Sequence, residues 1–581
     1  MSEEENKKVR DDTEVKKEEL QSKPQPQPQS QPENMEIHKH PHHVTQKKKW
    51  EEYLLEFLML FLAVFLGFLA ENAFVAAFPI AILKKIKQRR MSLNLKSDPL
   101  SKICNMRFYS LLLFIMTPAF LLAQTQNKKA VIASVEKHQQ ELINLSDSIW
   151  KYAETALKEY KSSKALSDYA AKQGFRVKTN MAGMPTAFIA EYGSGKPVIG
   201  VLGEFDALPG LSQKAQPTKD PLLENMPGHG CGHNMFGAGS LGAALAIKEL
   251  MAEGKLKGTI RFYGTPAEES VGGKIYMARA GLFNDVDVCL DWHPNDENKA
   301  NMQSSQAMID LLVSFKGLSS HAAFDPWNGR SALDAAELFT TGVNFLREHV
   351  KPTVRMHYVY KDGGKVPNVV PDQASVWLWV RDSKRSGVNL VEDRVRDIAK
   401  GAALMAGVTT DVKIQSGDYE LLVNETGENV LQKNMETLGP INYTTQEIEF
   451  GKQIQKAAGL EEVGFKGEIP PLEKTKDDPD GGSTDVGDIS WNVPEITLLA
   501  VTAPYKTPWH SWMVVACGGM NIGHKGMLFA AKALSMTMVD LFENEDLRQK
   551  IRKEFEEKKG KEVWKPMLPD GPPPVDKIKP F

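Results

Sequence analysis

The sequence is poor in cysteine and carries almost no net charge, and each shortage excludes a class of protein. Its 581 residues contain four cysteines: Cys104, Cys231, Cys289 and Cys517. So few thiols in so long a chain exclude a disulfide framework. The 71 basic and 74 acidic residues leave a formal net charge of −3, so nothing in the composition indicates nucleic acid as a partner. The chemistry must therefore lie in particular residues.

The first part of the chain lacks the composition of a folded domain. Residues 1–34 are charged and then rich in proline and glutamine, so we predict a disordered polar tail over 1–52. Residues 53–83 are strongly apolar, but the uninterrupted stretch 57–70 is shorter than the ~20 residues that a membrane-spanning helix needs. We predict that the whole apolar segment crosses a bilayer or lies in it.

Residues 84–125 predict a basic linker followed by a segment that resembles a signal peptide. The linker begins with five basic residues within 84–90, a cluster that favours the cytoplasmic side of a membrane. Met106 and Arg107 then precede an apolar stretch over 108–122, which is the pattern of a secretory signal. Two explanations are open: translation starts at Met106, or an upstream membrane segment is joined to an exported enzyme. Both predict a folded part that begins near Gln126 and is periplasmic or extracellular.

Strand and helix patterns alternate from residue 126 onward. Short apolar runs at 197–205, 259–263 and 286–291 are separated by helical patterns, which predicts an α/β layer with a mostly parallel sheet. After residue 301, four strand patterns and two helical patterns predict an inserted α+β domain. The predicted parts are an α/β domain in two pieces, 126–303 and 421–545, the inserted domain, 304–420, and a C-terminal arm, 546–581.

The first chemically distinctive motif contains Cys231 and His233, separated by one glycine and preceded by Gly228-His-Gly230. Thiolate and imidazole are both good ligands for zinc-like metals, and the glycines let the backbone approach an ion closely. Taken alone, the motif fits a glycine-rich turn with a buried cysteine equally well.

Further motifs stand where other predicted strands end. They are Gly203-Glu-Phe-Asp-Ala-Leu-Pro209, Thr265-Pro-Ala-Glu-Glu269, Asp291-Trp-His-Pro294 and Pro508-Trp-His-Ser511. Folds of the α/β class build their sites at the carboxyl ends of strands. Adjacent carboxylates allow one group to bind metal while its neighbour moves a proton. A solvated acidic turn or a structural histidine would explain any one motif, but the set together favours a metal-dependent hydrolytic site.

Five motifs carry a resemblance to a known family, in this order: Gly203-Glu-Phe-Asp-Ala-Leu-Pro209, Gly228-His-Gly-Cys-Gly-His-Asn234, Pro266-Ala-Glu-Glu269, Asp291-Trp-His-Pro294 and Gly317-Leu-Ser-Ser-His-Ala322. Through them the chain resembles the zinc-peptidase-like aminoacylase/amidohydrolase family, and within it the aminobenzoyl-glutamate utilisation protein B subgroup. The resemblance covers 131–574 and leaves out the first 125 residues. It implies a zinc-peptidase-like catalytic domain with a mostly parallel mixed sheet. It also implies that the inserted domain is a ferredoxin-like lid and dimerisation domain, and that the enzyme is a homodimer.

The resemblance also implies roles for individual residues. Ligands for two divalent metal ions, zinc or manganese, would be Cys231, His233, Glu269, His293 and His510, with Cys231 able to bridge the ions. Glu268 would be the general base. Asp206 would orient a ligand histidine.

Three residues of the predicted lid domain are assigned in the same way. His321 would reach the site of a neighbouring subunit and stabilise the oxyanion. Asn368, in Val366-Pro-Asn-Val-Val-Pro371, would contact the substrate carboxylate or the oxyanion. Arg381 would contribute to carboxylate recognition.

Two positions depart from the pattern of other relatives. Many of them have Asp where this chain has Asn234, although the subgroup resembles this chain there. Glu204 stands where other branches of the superfamily place a ligand histidine. We expect Glu204 to support a ligand rather than to bind metal itself.

The predicted function is metal-dependent hydrolysis of the amide bond of an N-acyl amino acid, p-aminobenzoyl-glutamate or a similar compound. The alternative within the family is a secreted dipeptidase or carboxypeptidase. Three other hypotheses are a nonenzymatic binding protein on a peptidase scaffold, a cysteine hydrolase with Cys231 as nucleophile, and a membrane component defined by 53–83. The complete set of ligands and the base argues against the first. Chelator sensitivity would test the second, and activity of a fragment starting near Gln126 would test the third.

Overall fold

The computed structural model describes the backbone of residues 99–476, 479 and 481–578, and side chains from Thr125 onward. The predicted tail, 1–52, the apolar segment, 53–83, and residues 84–98 of the linker lie outside the described residues.

Contacts separate Met1–Arg107 from Phe108–Phe581. Of the first unit the structure describes only the backbone of 99–107, which is helical. The helix α1 (Pro99–Tyr152) includes the signal-like stretch, 108–122, in its N-terminal part. All other elements belong to the second unit.

The apolar spacing over 128–172 is typical of a helix, and in the structure it is divided between two helices, because α1 ends at Tyr152 and a second helix, α2 (Tyr160–Lys172), follows. Ala153 and Leu157 lie in the left-handed region, with φ of 43° and 56°. A right-handed helix cannot continue through such residues. The spacing of apolar residues does not reveal this break, because both helices bury residues at the same three- and four-residue intervals.

The larger sheet has seven strands in the order β1-β2-β4-β3-β5-β11-β6. Its strands are β1 (Arg176–Thr179), β2 (Phe188–Ser194), β3 (Val198–Gly203), β4 (Gly258–Gly264), β5 (Val288–Asn295), β6 (Lys299–Ala300) and β11 (Glu495–Val501). The neighbours β4, β3, β5 and β11 run parallel to one another. Antiparallel strands complete both edges. The predicted α/β class with a mixed sheet is therefore confirmed.

The smaller sheet has four antiparallel strands in the order β10-β7-β9-β8. Its strands are β7 (Ala307–Lys316), β8 (Arg355–Asp362), β9 (Gln373–Asp382) and β10 (Thr409–Asp418). Two helices, α5 (Ala332–Leu346) and α6 (Arg385–Ala406), share a hydrophobic core with this sheet. These four strands and two helices match the four strand patterns and two helical patterns that the sequence shows after residue 301. The bounds 304–420 of the inserted domain stay a prediction.

The described residues form eight further α-helices, of which His233–Ala252, Glu425–Leu438 and Asn521–Glu543 contact strands of the larger sheet. They are α3 (His233–Ala252), α4 (Gly273–Arg279), α7 (Glu425–Leu438), α8 (Thr445–Ala457), α9 (Val486–Ser490), α10 (Trp512–Gly518), α11 (Asn521–Glu543) and α12 (Glu545–Lys559). The predicted C-terminal arm thus begins with α12, whose Ile551 and Phe555 are buried. Among the described residues α3 alone has the length and composition of a membrane span, but 78% of it is buried inside the fold.

Small residues allow α3 to lie directly on the end of β3. A Cβ added at Gly237 would come 2.7 Å from the Glu204 carbonyl oxygen, which is closer than any side chain tolerates. Gly232, just before α3, has φ of 82°, a conformation that glycine adopts without strain. This close approach brings Cys231 and His233 next to the carboxylates that follow β3.

Candidate metal centre

The carboxyl ends of the parallel strands meet at one edge of the larger sheet and supply the predicted site. Asp206 follows β3, the pair Glu268 and Glu269 follows β4, His293 lies near the end of β5, and His510 follows β11. Cys231 and His233 join them from the start of α3. The structure therefore brings together side chains from five separate stretches of sequence.

The five residues predicted to bind metal form two overlapping groups. Cys231, His233 and His293 place their ligand atoms within 4.8 Å of one another, and Cys231, Glu269 and His510 do the same. The Cys231 Sγ lies 3.4 Å from His293 Nε2, and His510 Nε2 lies 3.4 Å from Glu269 Oε2. Cys231 is therefore the residue that the two groups share.

Unpartnered buried atoms in this region fit a metal site. His233 Nε2, Glu269 Oε1 and Glu204 Oε2 are buried without a hydrogen-bond partner. An unsatisfied buried polar atom costs ~1–3 kcal/mol. Sulfur, imidazole nitrogen and carboxylate oxygen together are the donor set of zinc and related transition metals. The residues present therefore fit metal ions.

The ligand histidines are oriented through their second ring nitrogens. His233 Nδ1 lies 2.9 Å from Asp206 Oδ1, and His293 Nδ1 lies 2.7 Å from the Pro294 carbonyl oxygen. Asp206 Oδ2 also accepts a hydrogen bond of 3.0 Å from the Glu269 backbone N–H. Such contacts leave Nε2 of each histidine for metal. Asp206 thus lies where the sequence predicts it, holding one ligand ring and the backbone of another.

The backbone is strained at two positions in this site. Ala267, which precedes the two carboxylates, has φ of 61°, and His510 has φ of 54°. A non-glycine residue in this region costs ~1–3 kcal/mol and is typical of functional sites. Buried Glu159 holds the turn at Ala267, because its carboxylate accepts a hydrogen bond from the Ala267 backbone N–H at 3.0 Å. The same carboxylate accepts a hydrogen bond from the Thr186 hydroxyl at 2.9 Å. The sequence gives no sign of this role for Glu159.

The buried charges perturb one another strongly. Burial, and then the Glu204 charge, raise the pKa of Glu268 well above its ordinary value. Burial also raises the pKa of Glu269 to about 7 although His233 opposes this, and it lowers the pKa of His293 to about 4. Burial and then Glu269 raise the pKa of the Cys231 thiol. Divalent cations would reverse this pattern by stabilising the ionised acids and thiolate.

Replacing Glu159 by Gln is expected to flatten the dependence of stability on pH. Burial and then the Asp206 charge raise the pKa of Glu159 from 4.5 to about 8 in the folded protein. A carboxyl with a raised folded pKa contributes stability that is complete below its unfolded pKa and is lost as pH rises through the folded one, so the window is about pH 5 to 8. Across it, urea unfolding of the wild type should lose up to about 1.4 kcal/mol per pH unit more than the variant loses. Parallel stability curves would contradict this assignment.

A cavity of about 450 Å³ opens onto the metal-compatible residues, a size typical of small-molecule sites. Cys231, Glu268, Glu269, His293 and His510 all line it. The loop 481–484 forms another part of its wall. The predicted carboxylate-binding residue Arg381 lies behind this loop, where its Nη1 donates a hydrogen bond of 3.1 Å to Ser483 Oγ.

His321 and Asn368 are not among the residues that line this cavity. They lie beside each other near the smaller sheet, where the Ala322 N–H donates to the Asn368 carbonyl oxygen at 3.0 Å. His321 is exposed, and its Nδ1 accepts hydrogen bonds from the backbone N–H groups of Ala323 and Phe324 at 3.2 and 3.0 Å. A neutral His321 ring therefore carries its proton on Nε2 and can donate it outward.

The sequence did not reveal Lys274 and Asp485. Lys274 is fully buried in α4, and its Nζ lies 2.6 Å from Glu204 Oε1 and 2.6 Å from Asp485 Oδ1. Lysine is almost never fully buried unless it is paired, so only the partners of Lys274 reveal its role.

Comparison with known proteins identifies related sequences. Residues 200–463 match peptidase family M20/M25/M40. Over 455 residues the chain is 39% identical to one of the subunits of p-aminobenzoyl-glutamate hydrolase of Escherichia coli (strain K12), and the match covers 73% of this chain and 94% of that protein. Over 444 residues it is 30% identical to the Xaa-Arg dipeptidase of Mus musculus, covering 74% of this chain and 92% of that protein.

The fold also matches solved structures. A Bacillus subtilis protein described as a dinuclear metal-binding peptidase from the M20 family superposes with a TM-score of 0.50 at 19% identity. The match covers 70% of this chain and 99% of the other. At that identity the likeness establishes a shared fold.

Proposed function

The chain belongs to peptidase family M20/M25/M40 and is a metal-dependent hydrolase of amide bonds, and we propose that its substrate is an N-acyl amino acid, p-aminobenzoyl-glutamate or a similar compound. The observation that carries the proposal is the cavity that Glu268 lines together with four of the five metal-compatible side chains, Cys231, Glu269, His293 and His510. A relative of 39% identity is named for hydrolysis of p-aminobenzoyl-glutamate, which supports this substrate.

We propose that Cys231, His233, Glu269, His293 and His510 hold two divalent ions. Bound there, the ions would lower the pKa of water and polarise the amide carbonyl. The thiolate favours zinc, whereas the carboxylates are also good ligands for manganese. Cys231 belongs to two groups of metal-compatible side chains, and two such groups support two ions rather than one.

The protein's own groups would carry the proton transfers. Glu268 takes a proton from the attacking water and returns it to the nitrogen of the leaving amine. His321 of a second subunit would donate a hydrogen bond from its Nε2–H to the oxyanion and keep that proton. Asn368 would contact the oxyanion or the substrate carboxylate, and Arg381, through the loop 481–484, would contribute to carboxylate binding.

A dipeptide with a basic residue is the second candidate substrate. No lysine or arginine is among the described residues that line the cavity, whereas buried Asp291 lines it with an unpartnered Oδ1. That lining suits a cationic side chain better than the second carboxylate of a glutamate. The 30% identical mouse relative is named for dipeptides of the Xaa-Arg type.

A hydrolysis screen with metal-reconstituted enzyme tests the proposal. p-Aminobenzoyl-glutamate, N-acetyl amino acids and dipeptides ending in glutamate or arginine are compared by kcat/KM, with and without chelator. We expect p-aminobenzoyl-glutamate to be preferred and chelator to abolish turnover. Faster hydrolysis of the arginine dipeptides would favour the second candidate, and turnover that survives complete metal removal would contradict both.

We propose that the enzyme is exported and acts as a homodimer, and that 53–83 is its membrane anchor in the case where the signal-like segment 108–122 stays uncleaved. The signal-like pattern over 108–122 and the exposed position of His321 support these two parts of the proposal. The 39% identical relative is named as one subunit of a hydrolase, so a different partner chain is the alternative to a second copy. N-terminal sequencing of the native protein tests cleavage, because a start well before Gln124 would contradict it.

A further inference from the structure

A buried chain of charges runs from the loop beside the cavity to the metal-compatible residues. Lys274 and Glu204 are 0% and 1% exposed, and Lys274 Nζ lies 2.6 Å from Glu204 Oε1. The same nitrogen lies 2.6 Å from Asp485 Oδ1, while the Lys274 backbone N–H donates to Asp485 Oδ2 at 2.9 Å. Asp485 therefore fixes Lys274 at both its backbone and its ammonium group.

The other oxygen of Glu204 points toward the site. Glu204 Oε2 lies 2.9 Å from His233 Nε2, yet both atoms are without a hydrogen-bond partner, so their short distance is not a hydrogen bond. His233 Nδ1 is already occupied by Asp206. The ligand atoms of Glu204, His233 and Glu268 lie within 4.8 Å of one another.

This distance is the one expected for two ligands of the same ion. Metal–ligand bonds of ~2.1 Å at a right angle place the two donor atoms about 3 Å apart. Without metal, these two atoms at 2.9 Å form an ion pair only when His233 is protonated. When the His233 ring is neutral, they are a buried repulsion or an unmade hydrogen bond, which a shared cation would remove.

We propose that Glu204 is a further ligand of the ion held by His233, and that Lys274 is the positioning residue that presents its Oε2. The proposal rests on the metal-dependent function given above and departs from the expectation that Glu204 only supports a ligand. Lys274 occupies Oε1, so Glu204 can bind through one oxygen only. Its positive charge also balances an additional carboxylate in a site that already holds Glu268, Glu269 and Asp206.

The test compares metal binding in Glu204→Gln, Glu204→Asp and Lys274→Met with the wild type. Metal affinity is measured by competition with a chromophoric chelator, metal content by elemental analysis, and coordination by the visible spectrum of the cobalt-substituted protein. We expect affinity for at least one ion to fall by about ten- to a hundredfold in each variant, with a changed cobalt spectrum. Lys274→Arg should restore part of the affinity, because it keeps the charge.

The matched control is Glu428→Gln, which also removes a buried carboxylate. Glu428 accepts from the backbone N–H groups of Thr497 and Asn301 and belongs to none of the ligand groups. Its metal affinity and cobalt spectrum should equal those of the wild type. Circular dichroism of the metal-free variants checks folding, and Glu204→Asp keeps the charge beside Lys274 should the neutral variants unfold.

Folded Glu204 variants with wild-type affinity and cobalt spectrum would overturn the proposal. Loss of affinity in Glu204→Gln with none in Lys274→Met would leave Glu204 a ligand and refute the positioning role of Lys274. A wild-type protein that binds metal and hydrolyses no amide in the screen would contradict the proposed function, while these binding measurements would still decide the role of Glu204.

Discussion

Glu268→Gln is expected to lower kcat by about a hundred- to ten-thousandfold, the usual contribution of a general base, while metal content stays close to that of the wild type. The Glu268 carboxylate lines the cavity and lies in one group with Glu204 and His233, but it is absent from the two overlapping groups that together contain all five predicted ligands. Glutamine keeps the size of the side chain and removes its ability to accept a proton. The chemistry therefore fails while the ions remain bound.

Steady-state kinetics on p-aminobenzoyl-glutamate and elemental analysis of the same preparations check this result. Glu269→Gln is the matched control, since it changes the adjacent carboxylate and is expected to lose metal as well as activity. A Glu268→Gln enzyme with more than about a tenth of the wild-type kcat would rule out the role of base. Parallel loss of metal in both variants would make Glu268 a ligand instead.

Much of this site could be predicted from the sequence because α/β folds place the ends of parallel strands at one edge. Four motifs follow apolar runs, so the convergence of Asp206, Glu269, His293 and His510 could be expected from their places in the chain. The α/β class follows from the same alternation of runs. The resemblance then supplies roles that spacing cannot, such as the distinction between Glu268 and Glu269.

Other features depend on contacts between distant segments and leave no local pattern. Lys274 and Asp485 are 211 residues apart in sequence, and neither position is unusual alone, since buried lysine is recognised only by its partners. The break between α1 and α2 depends on backbone conformations at Ala153 and Leu157, which apolar spacing does not encode. Glu159 is likewise defined by the turn it holds at Ala267, more than a hundred residues away.

A mixed dimer that carries Glu268→Gln in one chain and His321→Ala in the other is expected to recover activity that neither variant has alone. His321 is exposed and does not line the cavity of its own chain, while its Nδ1 is occupied by two backbone N–H groups. In the proposed homodimer, its Nε2–H would therefore donate a hydrogen bond to the oxyanion in the site of the second copy. In the mixed dimer, one of the two sites combines an intact Glu268 with an intact His321, which predicts about half of the wild-type kcat per dimer.

Co-expression of the two chains with different affinity tags and tandem purification isolates the mixed dimer for steady-state assay. The decisive control has the same composition in another arrangement: a wild-type chain paired with a chain that carries both substitutions. There, one site lacks the base and the other lacks the partner's histidine, so the dimer should be nearly inactive. The reverse outcome, an active control beside an inactive mixed dimer, would mean that His321 serves its own chain. In that case the smaller sheet must close over its own cavity, and dimerisation would contribute no residue to catalysis.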